Sequence, residues 1–402
     1  MKRLLYITVA APLGRAESFI IQEMNCLVRR GMELTIVPLR PAGQVFHRDG
    51  VSLLPFVLVT GLWSVRVWLA ALHWLIKAPR RVTGLLLMLL RRGSLKNRLR
   101  NVLVFPKALL IARQVRLLKV EHIHAHWAST PSTCAMVASS LTGVGWSFTA
   151  HRWDIQNNNL LAEKIAHCRF VRAISHCGHG QLLESAGPDR DGKVLLVPMG
   201  VEVPEVAAAP AGPDRVGKSA MIAAVGSLTP VKGHRHLVSA CALLARHGVD
   251  FRCLIIGEGP ERKALSGLID ELGLGDRVIL TGALPHQRVL KILGSGAINL
   301  LVHPSVETPD GEHEGVPVVL MEAMARGVPV IAACSGGIPD IANETTGVLV
   351  PPGNSVDLAR AVKEVLDDPQ AARAKLPAAR RLVEERFNLE KNVFLLLNQM
   401  GA

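Results

Sequence analysis

Short apolar runs alternate along the chain with stretches in which apolar positions recur at helical spacing. The first run, from 4 to about 13, is followed at once by an amphipathic helix over 17–30 and a strand over 33–39. Its basic start mimics a signal peptide. The helix and strand directly behind it make it instead the strand–loop–helix–strand of a Rossmann half. Further strands are predicted in HIHAHW, in 146–150, and in FVRAIS and KVLLVPMGV. A second series starts at 221–225, where VGSLTPVKG gives a strand, a glycine turn and a lysine before a helix from about His234. It continues with FRCLIIGEGPERKALSGLIDELG, RVILTGALP and AINLLVHPS. Strands alternating with helices imply two parallel sheets covered by helices. A length of 402 residues exceeds what one core serves. The Pro-, Ala- and Gly-rich stretch 199–219 reads as the linker between a first domain, 1–198, and a second, 220–377.

Charge changes the picture in one place. The chain carries a net charge of +13. Residues 51–120 hold 13 Lys and Arg and no Asp or Glu, so the remainder is close to neutral. Trp63, Trp68 and Trp74 lie in this stretch. Over 62–81 the polar residues Arg66, His73, Lys77 and Arg80 or Arg81 fall on one helix face, and Trp68, Leu69, Leu72, Leu75 and Ile76 cover much of the rest. Basic amphipathic segments recur at 82–100 and 105–119. The uncharged run 51–65 is too short to span a bilayer, and extending it would bury Arg66 at a cost of about 2.5–3.5 kcal/mol. A helix lying in the interface of an anionic membrane fits better. The alternative is that these helices only cover the first sheet. Nucleic acid is not expected, because the basic residues alternate with Leu and Val rather than with aromatic platforms. Seven scattered cysteines without CxxC spacing point to a reduced, cytoplasmic chain rather than to a disulfide or zinc scaffold; the basic stretch 51–120 adds the expectation that it is peripheral at the inner face of the membrane.

Candidate chemistry concentrates in HEGVPVVLMEAMARGVPVIA. Glu314 falls in a loop before a helix predicted from Gly315 or Val316, and Glu322 lies about two turns inside it, roughly 12 Å further on. This separation suits the two sugars of a nucleotide-sugar. The helix start offers free N–H groups and positive potential to the diphosphate between them, and Lys232 adds a cation. Lys232, Gly257, Gly282 and Glu314 all fall at carboxyl ends of predicted strands, where open parallel sheets bind ligands. His151 ends the strand 146–150 in the same manner. His124 and His126 share a strand face, but no further ligand stands at metal spacing, so they read as strand-end or core histidines. There is no DxD constellation that demands a divalent ion.

Residues 221–353 resemble the donor-binding domain of retaining glycosyltransferase family 4. The resemblance rests on GSLTPVKG, IIGEGP, VILTG, HPS, EGVPVVLMEAMARGVPVIA, SGGIPDI and GVLVPPGN, in order. It continues more weakly into GRAESFIIQEMNCLVRRGMELTIVPLR and the HxxD element at His151 and Asp154, which look like the exopolysaccharide and lipopolysaccharide branch. The resemblance implies an α/β GT-B fold: two Rossmann-like, doubly wound parallel-sheet domains facing across a cleft, with helices of 378–402 returning to the first. It implies catalytic roles for Glu314 and His151. It also implies a donor site of Gly14, Ser227, Lys232, Gly257, Gly282, Gly315, Val316 and Glu322, with Glu322 on the ribose. The expected reaction moves a sugar, with retention and without metal or cofactor, from a UDP- or GDP-linked donor to a glycan or lipid-linked oligosaccharide. Ser227 departs from the family, which often has arginine there, and Gly14 lacks the second glycine of many relatives. Two alternatives stay open: a UDP-N-acetylglucosamine 2-epimerase-like enzyme and a non-catalytic, membrane-associated GT-B subunit.

Overall fold

A computed structural model describes residues 2–14, 17–41, 45–205 and 219–401. The chain divides into two units, Met1–Pro198 with Glu390–Ala402, and Met199–Leu389. Most of the expected linker, 206–218, lies outside the described residues.

The first unit is built on six parallel strands: β1 (Arg3–Thr8), β2 (Glu33–Pro38), β3 (His122–His126), β4 (Trp146–Ala150), β5 (Phe170–Ala173) and β6 (Val194–Leu196). They lie in the order β2-β1-β3-β4-β5-β6. The order reverses direction between β1 and β3, which makes their carboxyl ends the natural ligand position of this sheet. β3, β4 and β5 are buried at every residue, as strands covered on both faces must be. The terminal segment is fastened to this unit by Glu390, which accepts from Arg29 at 3.1 Å and Arg30 at 2.9 Å.

The basic stretch folds as helices Val65–Lys77, Pro79–Arg91 and Leu95–Leu117. The pattern over 62–81 predicted one helix. Ala78 interrupts it, and Pro79 opens the next at a position where a missing N–H costs little. The segment 82–100 is split between the second helix and the third, and the long third helix, which runs through Pro106, also takes in 105–117. Lys107 leaves the basic surface altogether. It is buried, its ammonium donates to the Pro38 and Leu39 carbonyls at 2.8 and 3.0 Å, and burial lowers its pKa to about 8.

The second unit has β7 (Ala220–Val225), β8 (Phe251–Ile256), β9 (Val278–Gly282), β10 (Leu300–His303), β11 (Val330–Ala333) and β12 (Val348–Val350), all parallel. Their order is β12-β11-β10-β7-β8-β9, with the reversal between β7 and β10. Helix Leu376–Arg386 stays with this unit, where Arg380 holds the Ala325 and Pro204 carbonyls at 2.9 and 2.6 Å. The chain therefore leaves the second unit at Leu389 rather than at 377.

Candidate active site

The reversal between β7 and β10 gathers three polar side chains on one carboxylate. Lys232 ends a 3-10 turn after β7, and the chain then turns at Gly233 with φ 62°. A Cβ at Gly233 would lie 2.0 Å from the Pro304 carbonyl oxygen, so only glycine lets the β7 and β10 loops touch. Glu314 Oε2 accepts from Lys232 Nζ at 2.6 Å, from Ser305 Oγ at 2.8 Å and from His303 Nε2 at 3.0 Å. Burial alone would raise the Glu314 carboxyl. The ammonium and the imidazole N–H overcome it and hold Glu314 well below the ordinary carboxylate range. Burial keeps His303 neutral, its pKa lowered despite the carboxylate beside it. The site is thus a fixed anion under one fixed cation.

The backbone of Glu314 is held as firmly. Its carbonyl accepts from Gly337 N at 3.3 Å, its N–H meets Ser335 Oγ at 3.4 Å, and a Cβ at Gly336 would stand 1.8 Å from that carbonyl oxygen. The helix begins at Val318, with Pro317 at its N-cap, later than the pattern predicted. The residue before a proline is driven from the helical region, so Val316 cannot start it. Glu322 accordingly lies just over one turn inside, and the rise of a helix does not set its distance from Glu314. The Gly315 N–H turns to Glu314 Oε1 at 3.1 Å, not outward as expected, and Val316 beside it is half-buried. Glu322 is buried and meets His286 Nε2 at 2.5 Å. Gly257 follows β8, where a Cβ would lie 1.8 Å from Gly226 O. Gly282 ends β9 with φ 78°, and its carbonyl accepts from Gly257 N at 3.0 Å. Ser227 is exposed, 3.3 Å from the Thr229 hydroxyl.

His151 lies in the first unit, at the end of β4. It heads a buried chain of hydrogen bonds. Arg172 donates to Glu23 at 2.5 Å, and Tyr6 donates its hydroxyl proton to the same carboxylate at 2.6 Å. The Tyr6 oxygen then accepts from His126 Nδ1 at 2.8 Å, which leaves His126 Nε2 to accept from His151 Nε2 at 2.8 Å. Burial lowers the His151 pKa to about 3 and holds that of His126 well below the ordinary imidazole value, so both rings are neutral. Asp154 closes a capping box, its Oδ1 accepting the His151 N–H at 2.8 Å. The fold also brings Glu23 to His124 and His126, a cluster with metal-ligating atoms that spacing alone did not reveal. Its lone pairs are committed elsewhere: Glu23 to Arg172 and Tyr6, His124 to the Ser147 and Thr149 hydroxyls at 2.8 and 3.1 Å. Gly14 follows β1 with φ 87° and bridges to Val45.

The profile of the glycosyl transferases group 1 family matches residues 208–384. A 2-deoxystreptamine glucosyltransferase of Streptomyces kanamyceticus is 36% identical over 288 residues, covering 65% of this chain and 71% of that one. The chain belongs to the group 1 glycosyltransferase family. The amylovoran biosynthesis glycosyltransferase AmsK of Erwinia amylovora is 35% identical over 176 residues, 44% of this chain and 43% of that relative. Among solved structures, Anabaena HepE in complex with UDP and glucose superposes with a TM-score of 0.72 at 18% identity, over the whole of both chains. The fold of this glycosyltransferase is GT-B.

For a member of this family, sequence reading reached Glu314 and Lys232 but missed the side chains that hold them. His303 ends β10 and Ser305 follows it in the HPS segment, and the signal was their place at a strand end beside the reversal. Nothing in the sequence pairs His286 with Glu322 or Tyr6 with Glu23.

Proposed function

We propose that this glycosyltransferase moves a sugar from a UDP- or GDP-linked donor, with retention of configuration and without a divalent metal, to a hydroxyl of a lipid-linked glycan in cell-surface polysaccharide assembly. The observation that carries the reading is the Lys232–Glu314 pair on either side of the β7–β10 reversal. Lys232 supplies positive charge where a leaving diphosphate needs it, and Glu314 supplies fixed negative charge where an anomeric carbon becomes cationic. Glu322, held by His286, takes the ribose hydroxyls. The UDP and glucose held by HepE support the donor class. The amylovoran relative supports polysaccharide assembly.

A melting-temperature screen against UDP- and GDP-sugars, with and without chelator, tests this. Donor at one hundred times its dissociation constant adds about 2.7 kcal/mol. Silence with every donor overturns the reading, and a shift lost with chelator overturns its metal-free form. An epimerase would turn over labelled UDP-N-acetylglucosamine with no acceptor present.

A membrane-facing acceptor side is supported by the surface of the first unit. Of 23 exposed large apolar residues in the described chain, 18 lie between Val51 and Leu118, in the stretch that carries no acid.

A further inference from the structure

Trp127 follows β3 directly, at the β1–β3 reversal, with φ at +96°. A bulky residue in this region is a true outlier. Such strain persists only where the surroundings over-determine it, and it collects at ligand clamps. Here the determinants are countable. Trp127 N–H donates to Thr149 O at 3.0 Å, and Ala128 N–H donates to Asp154 Oδ2 at 2.5 Å. Lys164 Nζ, buried, grips the Ala128 and Ser129 carbonyls at 2.7 and 2.8 Å. The indole Nε1 donates to Glu17 Oε1 at 2.5 Å, while Glu17 Oε2 is fixed by the Ala10 and Ala11 N–H groups at 2.8 and 2.6 Å.

All this machinery serves to hold one indole half-exposed at a strand end. Its ring lies 4.3 Å from that of His151 at 34°, and 5.5 Å from that of Trp153 at 39°. Trp153 is 42% exposed. The apolar core does not need either ring there. A tilted pair of indoles presents an extended, electron-rich surface with polar edges.

We propose that Trp127 and Trp153 form the acceptor subsite of this enzyme, a shelf on which one pyranose ring of the glycan stacks. The ligand class follows from the chemistry. The face of a pyranose carries several weakly positive C–H bonds that match the negative π face, while its hydroxyls point sideways to water and to polar edges. Open-chain polyols cannot present such a face. The proposal rests on the transferase reading for its biological meaning. Its site lies wholly in the first unit.

The test follows tryptophan emission of the full chain during titration with methyl α-glucopyranoside, methyl β-galactopyranoside and methyl β-N-acetylglucosaminide, with sorbitol as the open-chain control. A saturable change with at least one glycoside and none with sorbitol is expected. Trp153→Ala weakens that binding at least fivefold and Trp153→Tyr restores most of it. Trp153 is exposed, so its replacement leaves the fold intact, which a melting curve verifies. No saturable response to any glycoside, or equal affinity in Trp153→Ala, overturns the shelf. A melting shift with UDP-glucose and GDP-mannose on the same wild-type protein reports the donor reading separately. Donor binding without glycoside binding sinks the shelf alone, and the reverse result sinks the transferase reading alone.

Discussion

Lys232 Nζ lies 2.6 Å from Glu314 Oε2, two residues brought together from opposite sides of the β7–β10 reversal. Both side chains are largely buried, so removing one leaves the other charge uncompensated. Lys232→Met is expected to destabilise the second unit by about 3 kcal/mol, read from denaturant unfolding. The sign of its pH dependence is fixed. Glu314 has a depressed folded pKa, so its contribution is present above its unfolded value of about 4.3 and is lost as pH falls further. The gap between wild type and variant therefore narrows below about pH 4. A constant gap down to pH 3 would show that the pair carries no such charge coupling.

Gly336 tests whether the backbone of Glu314 must be held. It has φ 56° and no room for a Cβ beside the Glu314 carbonyl. Gly336→Ala is expected to cost about 3 kcal/mol, through a strained φ and a backbone clash together. Donor affinity, measured by melting shift, should fall at least tenfold. Gly275→Ala is the control, because a Cβ there meets nothing within 4 Å. Equal losses in the two variants would mean that the clash at Gly336 relaxes freely.

The buried histidines of the first unit set its acid stability. His122, His124 and His151 are each lowered to about 3 and His126 well below its ordinary value, chiefly by burial. In the unfolded chain each takes a proton below about pH 6.5. Folded stability therefore falls as pH drops from about 6.5 toward 3. Asp154, raised by burial to about 7, binds its proton in the folded state first and offsets one of them. A net uptake of about three protons near pH 5 corresponds to about 4 kcal/mol per pH unit. Urea midpoints at pH 7, 6 and 5 check this, and a flat profile would mean that the imidazoles are already charged or solvated in the native state.

What the sequence made legible was position along strands. Runs such as LLYI and CLII are apolar throughout because both sheet faces are covered, and their carboxyl ends pick out Lys232, Glu314 and His151. Partnership was not legible. His303 and Ser305 reach Glu314 only through the β7–β10 neighbour relation, and Tyr6 meets His126 only because β1 lies beside β3. Helix spacing misled at Pro317, where the restriction on the preceding residue outweighed the apolar period. Charge counting misled at Lys107, whose long stem reaches carbonyls under the sheet edge.

The basic stretch also carries an exposed apolar surface. In helix Val65–Lys77 the inward face is Val67, Ala70, Ala71 and Trp74. The larger apolar residues face out: Val65, Trp68, Leu69, Leu72, Leu75 and Ile76 are all exposed. Their spacing draws one stripe along the helix, beside the stacked rings of Trp63 and Trp68. Leu95, Leu99 and Leu103 repeat the arrangement on the third helix. None of the described helices is long and apolar enough to cross a membrane. An apolar stripe bordered by arginines, with no acid nearby, matches a helix seated at the headgroup level. Each basic residue near anionic lipid adds about 1 kcal/mol, screened by salt. The full chain is expected to co-sediment with phosphatidylglycerol-containing vesicles, to release in 0.5 M salt by roughly tenfold, and to bind phosphatidylcholine vesicles far less. Ile76→Asp should reduce binding by roughly tenfold, since it places a charge in the stripe without touching the core. Binding that ignores lipid charge, or that survives Ile76→Asp unchanged, would remove the membrane from the account of this surface and leave the helices as a cover for the first sheet.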